Sequence, residues 1–228
     1  IWFIKVIYAD AIISPLGTGL IYTASTARIN YGMSKNGYMP QWMLKLNKKG
    51  IPYLAITINF IIGLIFFLPF PSWQQMASVF VSLFVFSYTM GPIACMSLRK
   101  EKPNLKRPFK LPLANYMCMV AFYICTLLLY WDSWHVVKTM LLVLGVGYVY
   151  LALYRLITYK KTKENHPDLN WKNFAWMPLY LIGLGLISYY GSFGGKHIIT
   201  FGWDFAIIAV FSLSLIHISE PTRLRRIS

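Results

Sequence analysis

The sequence predicts an all-α polytopic membrane protein, and three observations predict it. Of its 228 residues, 57% are hydrophobic and 13% are charged, where a soluble domain carries about a quarter charged residues. The mean hydropathy is +0.52. The apolar residues gather into runs of roughly 17 to 25, the length a helix needs to cross a hydrocarbon core. The net charge of +15 sits in the connectors between those runs and not on one continuous patch, which argues for membrane loops and against a nucleic-acid surface. Six complete transmembrane helices and a truncated seventh follow, at about 9–31, 51–70, 76–98, 113–131, 136–154 and 174–190, with a stub at 205–212.

The first span carries polar residues in an apolar setting. On a helix Asp10, Ser14, Thr18 and Tyr22 fall at successive i+4 steps, on one face. In lipid such a face is unfavourable unless it looks into protein or water. It reads as one wall of a transport pathway or as helix packing, since Ser and Thr also bond back to helix carbonyls. Tyr22 is a gate or a packing aromatic. Asp10, near the outer end, is a solvated helix-start charge or, if deeper, a proton or cation site. Arg28 can snorkel to the inner interface. Ser34-Lys35-Asn36-Gly37 breaks the helix, with Gly37 as its C′ residue. Pro40–Leu46 forms a short interfacial turn with Trp42 and Met43 facing the bilayer.

Pro52 suits the first turn of the second span, and Pro69, Pro71 and the aromatic-belt Trp73 end it. In the third span Ser78, Ser82 and Thr89 lie near one face, either as small-residue packing or as a second pathway face. Gly91-Pro92 predicts a kink. Trp131, Asp132, Trp134 and His135 mark an interface turn between the fourth and fifth spans. Gly145 and Gly147 allow close helix contact in the fifth. Gly191 to Gly195 reads as a flexible turn, and Asp132 and Asp204 as exposed turn residues.

Segments 28–49, 99–110 and 155–172 hold 5, 6 and 5 Lys or Arg, whereas 71–75, 131–135 and 191–204 hold 0, 0 and 1. If every assigned span crosses, this alternation puts the basic connectors in the cytoplasm and runs the first span from outside to inside. Cys95, Cys118 and Cys125 form no CxxC and read as small packing residues. His135, His166, His197 and His217 have no metal-ligand spacing, so no metal site is expected. The chain opens on Ile1-Trp2-Phe3 without a signal peptide and reads as cut upstream.

Ser25–Ile56 resembles the amino acid permeases of the amino acid–polyamine–organocation superfamily. The resemblance rests on Arg28, Gly32, Asn36-Gly37, Tyr38, Pro40 and Asn47-Lys48-Lys49-Gly50-Ile51-Pro52. A second match, Lys106-Arg107-Pro108-Phe109-Lys110-Leu111-Pro112, is similar to the connector between that family's tenth and eleventh helices. The likeness covers about residues 9–130 and is weaker over 131–212. It implies the C-terminal part of an inverted-repeat, leucine-transporter-like fold, in which the first span is the eighth helix of a 14-helix protein. It also implies secondary active transport of an amino acid or related amine by alternating access, with the substrate held near the midplane by two broken helices outside this chain. The eighth helix lines that cavity. Its candidate pathway residues are Ser14, Thr18 and Tyr22, with Asp10 near the outer end and with Gly17 and Gly19 permitting close backbone approach. No cofactor is implied beyond a coupling Na+ or H+. The partners implied are a small-molecule substrate and the lipid bilayer of the cytoplasmic membrane, not nucleic acid.

Two other classes compete. A membrane-embedded lipid or acyl transferase needs a catalytic cluster, and His135 with Asp132 is the only near pair. A purely structural membrane subunit has no distinguishing residues. Finally, Leu213–Arg223 (LSLIHISEPTR) resembles the translation of a sequencing adapter, and LRRIS extends the match. Residues 213–228 therefore read as a non-native, adapter-derived tail. The competing reading is a basic tail on anionic lipid through Arg223, Arg225 and Arg226. Residues 1–212 hold 19 basic and 6 acidic residues.

Overall fold

The computed structural model describes residues 2–68, 72–159 and 176–219. The described residues form helices α1 (Trp2–Lys35), α2 (Tyr53–Phe67), α3 (Trp73–Glu101), α4 (Ala114–Trp131), α5 (Ser133–Tyr159), α6 (Trp176–Tyr190) and α7 (Trp203–Ser219), with a 3₁₀ turn at Gln41–Leu44. Pro69 and Pro71, the basic stretch from Lys160 to Lys172, and residues 220–228 lie outside the described residues.

Among the described residues four helices are long and apolar enough to cross a membrane: α1, α3, α4 and α5 over Ser133–Tyr154. This overturns the expectation of six complete spans and a truncated seventh. α2 and α6 have 15 residues each. At about 1.5 Å per residue their described parts reach about 22 Å, short of a hydrocarbon core of about 30 Å. α7 has 17 residues and continues to Ser219 instead of stopping as a stub at 212. An apolar run sets an upper limit on a helix but not its ends. The run over 51–70 is bounded by Pro52 and Pro69, and its helix is confined to 53–67. The inverted-repeat assignment required the larger number of spans and is withdrawn with it. The outside-to-inside direction of α1 rested on six crossings and no longer follows from the charge alternation.

The chain forms two compact units, Ile1–Pro71 with Val149–Asp168, and Ser72–Tyr148 with Leu169–Ser228. In the first, α1 packs on α2 and on the 3₁₀ turn. Burial among the described residues of this unit is confined to small residues, one proline and one methionine: Ala27, Ser34, Met43, Pro52 and Ala55. Met43 is therefore inside, and of the pair expected to face the bilayer only Trp42 is exposed. The helix end follows the sequence reading. Gly37, at φ 77°, is the C′ residue: its N–H meets Ser34 O at 3.1 Å and Tyr38 N–H meets Met33 O at 2.9 Å. This is a Schellman motif, and glycine adopts its left-handed backbone without strain.

In the second unit α3 lies along α4, and α7 packs on α4 and α6. Phe86, Phe122, Leu129, Met140, Tyr180 and Leu184 share one core cluster. Tyr180 stacks at 5.9 Å on Phe211 and lies 5.5 Å from Phe122. α3 continues as helix through Gly91-Pro92 to Glu101. Close helix contact occurs at glycines other than those expected. Nothing lies near Gly145 or Gly147, whereas a Cβ on Gly183 would strike the Phe211 ring and one on Gly185 would meet Leu141. The expected flexible turn is tied down at Gly191, Ser192 and Phe193 and by the segment that follows it. The backbone N–H groups of Lys196, His197 and Ile198, just beyond it, reach Tyr189 O, Gly191 O and Tyr190 O, and Ser192 Oγ donates to Ile199 O at 2.7 Å.

Candidate functional site

Asp10, Ser14, Thr18 and Tyr22 lie within helix α1. Asp10, Ser14, Gly17, Thr18, Gly19 and Tyr22 are all exposed, and none of the helix's apolar stretch is buried. Its threonine hydroxyls turn inward to the backbone. Thr18 Oγ1 donates to Ser14 O at 2.9 Å, Thr23 Oγ1 to Gly19 O at 2.7 Å and Thr26 Oγ1 to Tyr22 O at 2.6 Å. Pro15 lies inside the helix, a feature the sequence reading passed over. Its ring has no N–H, so the Ala11 carbonyl lacks its helical donor. A substituent at Gly17 or Gly19 would meet nothing within 4 Å. The stretch 10–22 thus joins a carboxylate, hydroxyls and a carbonyl without its helical donor around a proline and two glycines. Such a stretch can offer oxygen ligands to a polar solute or a cation.

The second candidate face has another environment. Ser82 and Thr89 are fully buried and Ser78 is half-buried. They lie on the same stripe of α3 as buried Met76, Val79 and Phe86. Thr89 Oγ1 donates to Phe86 O at 2.6 Å and Ser78 Oγ to Gln74 O at 2.9 Å. The two candidate faces belong to different compact units.

Both carboxylates expected to be exposed are not. Asp204 is fully buried. Its Oδ1 accepts the N–H groups of Gly202 at 2.8 Å and Phe205 at 3.0 Å, and its Oδ2 accepts the Tyr130 hydroxyl at 3.1 Å. That hydroxyl in turn accepts Ser192 N–H at 3.1 Å. Asp132 is half-buried and meets Ser82 Oγ at 2.5 Å. Burial pushes the Asp132 carboxyl above its ordinary value of 3.8, and the Ser82 bond acts in the opposite direction. A third polar contact was also missed. Asn30 Nδ2 donates to Asn59 Oδ1 at 2.7 Å between α1 and α2, and Asn59 Nδ2 is buried with no partner among the described residues. Two asparagines in neighbouring apolar runs were the available signal, because such residues bond across helices in lipid.

The transferase reading loses its pair, because Asp132 bonds Ser82 while His135 is exposed. Among the described residues no cluster of three His, Cys, Asp or Glu side chains is placed to hold a metal. The three cysteines are free thiols.

These features place the chain among integral multi-pass membrane proteins, and comparison with known proteins adds the family. A family model described as amino acid permease matches residues 2–154. The chain belongs to that family. It is 38% identical to the glutamate/serine transporter AimA of Bacillus subtilis, over 93% of this chain and 39% of that protein. It is 30% identical to the aspartate-proton symporter of Bacillus subtilis, over 98% of this chain and 43% of that protein. A D-serine/D-alanine/glycine transporter of Escherichia coli is 29% identical over 46% of this chain and 25% of that protein. The chain thus spans about two fifths of the length of the two Bacillus relatives. It groups with transporters and permeases and not with enzymes. No solved structure matches it.

Proposed function

We propose that the chain is part of a secondary active transporter that carries amino acids or related amines across the cytoplasmic membrane by alternating access, coupled to Na+ or H+. The observation that carries this reading is the exposed polar face of α1. A membrane-length helix with Asp10, Ser14 and Thr18 on one face, and a carbonyl freed by Pro15, fits a wall of an aqueous or substrate-filled path better than a lipid contact. Ser14, Thr18 and Tyr22 line that path, and Gly17 and Gly19 let a solute approach the backbone. Ser78, Ser82 and Thr89 form a second face only if α3 turns its packed stripe toward the path. Membership of the amino acid permease family supports the substrate class, and the names of the Bacillus relatives favour amino acids, an acidic one among them. The same reading treats residues 213–228 as foreign to the permease.

The test is flux. The whole protein carrying this sequence, reconstituted in vesicles, takes up or exchanges at least one member of a broad amino acid panel. Absence of flux across the panel overturns the proposal.

A further inference from the structure

Buried Asp204 and half-buried Asp132 differ in the number of donors they face. Asp204 faces three donors, Gly202 N–H, Phe205 N–H and the Tyr130 hydroxyl, which suits a group that only accepts. Asp132 faces one hydroxyl, and the single proton of that hydroxyl has two acceptors within reach, Asp132 Oδ2 and Ser78 O. Fully buried Ser82 Oγ lies 2.9 Å from Ser78 O and 2.5 Å from Asp132 Oδ2. A serine hydroxyl has one proton. Elsewhere in these helices that proton goes to the carbonyl one turn back, as at Thr18, Thr23, Ser34, Thr57, Ser78 and Thr126. If Ser82 does the same, it offers Asp132 a lone pair and no hydrogen, and the carboxyl must supply the proton of the bond between them.

The surroundings provide no counter-charge among the described residues. On α3 the titratable groups are Tyr88 and, further toward the other end, Cys95, Arg99, Lys100 and Glu101. α4 brings Tyr130, which is bonded to Asp204. His135 and Lys138 at the start of α5 are exposed. In the 191–202 segment, beside His197, Lys196 sits 4.9 Å over the Tyr189 ring of α6. The influences that shift Asp132 are burial and Ser82. An ionised Asp132 would therefore be a half-buried anion whose one hydrogen-bond partner among the described residues is a neutral hydroxyl, which leaves its charge only partly compensated.

We propose that Asp132 is a proton-binding site of this protein, its carboxyl O–H donating to Ser82 Oγ while the Ser82 O–H donates to the Ser78 carbonyl. The proton comes from solvent, which the half-buried carboxyl reaches, and no covalent step is involved. When the proton leaves, Ser82 turns its hydrogen to the carboxylate and releases the Ser78 carbonyl. The site thereby couples proton occupancy to one turn of α3. This inference does not rest on the transport reading.

Infrared spectroscopy of the whole protein in liposomes, titrated from mildly acidic to alkaline pH, tests it. The expected result is a protonated-carboxyl C=O band that persists above the ordinary carboxyl range and is lost as pH rises. It is absent in Asp132→Asn, and it is retained but displaced in Ser82→Ala. A band unchanged by Asp132→Asn overturns the proposal, as does the lack of any pH-sensitive carboxyl band in the unsubstituted protein. Should Asp132→Asn fail to insert, Ser82→Ala decides, because a band that does not move there excludes the hydroxyl as its partner.

Discussion

α1 and α3 carry the same signature in sequence and meet opposite surroundings in the fold. Each is a membrane-length apolar helix with hydroxyl residues stepped along one face, Ser14 and Thr18 on α1 and Ser78, Ser82 and Thr89 on α3. On α1 the hydroxyl face is exposed with the rest of its apolar stretch. On α3 the stripe is pressed into the core beside Phe86. Helical periodicity thus places hydroxyls on a common face, but it does not say what that face meets. A packing stripe and a pathway wall look alike until a neighbour is present or absent.

The largest effect that would break this comparison lies in the packed region. Asp204→Ala removes the acceptor of three donors in a closed site, and each unsatisfied group costs about 1–3 kcal/mol. The expected loss is at least about 3 kcal/mol, read as a fall in unfolding midpoint in detergent. Next comes a matched pair. Thr89→Trp overfills a fully buried site and is expected to destabilise by about 1–3 kcal/mol. Thr18→Trp on exposed α1 should change stability by less than about 0.5 kcal/mol while abolishing amino acid flux in vesicles. Equal destabilisation by both, or full flux in Thr18→Trp, would erase the distinction between the two helices.

A smaller effect is expected at the α1–α2 contact. Asn30→Leu breaks the bond to Asn59 and should lower stability by about 0.6–2 kcal/mol, the range for polar bonds between helices in lipid. Thermal melts of the single and double Asn variants measure the coupling.

The pH prediction sharpens the role of Asp132. Its folded-state pKa is raised by burial, so the folded state holds this proton more tightly than the unfolded chain does. The contribution is fully present below the ordinary value of 3.8 and is lost as pH rises from there through the raised folded value. Asp132→Asn should remove that part of the pH dependence. A pH–stability profile identical in both proteins would count against it. The least demanding test concerns residues 213–228. Sequencing the locus from an independent library should replace them with a different ending, and recovery of the same tail would show that they are native.

Much of the local structure was legible in advance, because local chemistry decides it. Composition and run length identify a membrane protein, and the Asn36-Gly37 break ends α1 through a backbone conformation that glycine favours. The i+4 ladder of α1 is helical geometry and nothing more. The connectors around Arg28–Pro52 and Lys106–Pro112 carried the family resemblance that the match over residues 2–154 supports. The count of spans was not legible, since 15 residues of helix and 20 residues of apolar chain look alike when flanking prolines trim the ends. The close contacts at Gly183 and Gly185 could not be told from the open positions at Gly145 and Gly147, because a neighbouring residue such as Phe211 makes the difference.

The sequence by itself determined which residues are apolar, where helices must stop for want of a suitable backbone, and which hydroxyls share a face. Only the tertiary structure decided which faces are covered and which polar groups meet. Asp132 pairs with Ser82 across 50 residues, and Asp204 with Tyr130 across 74. Both aspartates follow a tryptophan at the edge of a helix, Asp132 just after α4 and Asp204 in the first turn of α7, a pattern that otherwise marks a solvated membrane boundary. Their burial comes from α3, α4 and α7 packing together, and no local rule of spacing or propensity encodes that contact.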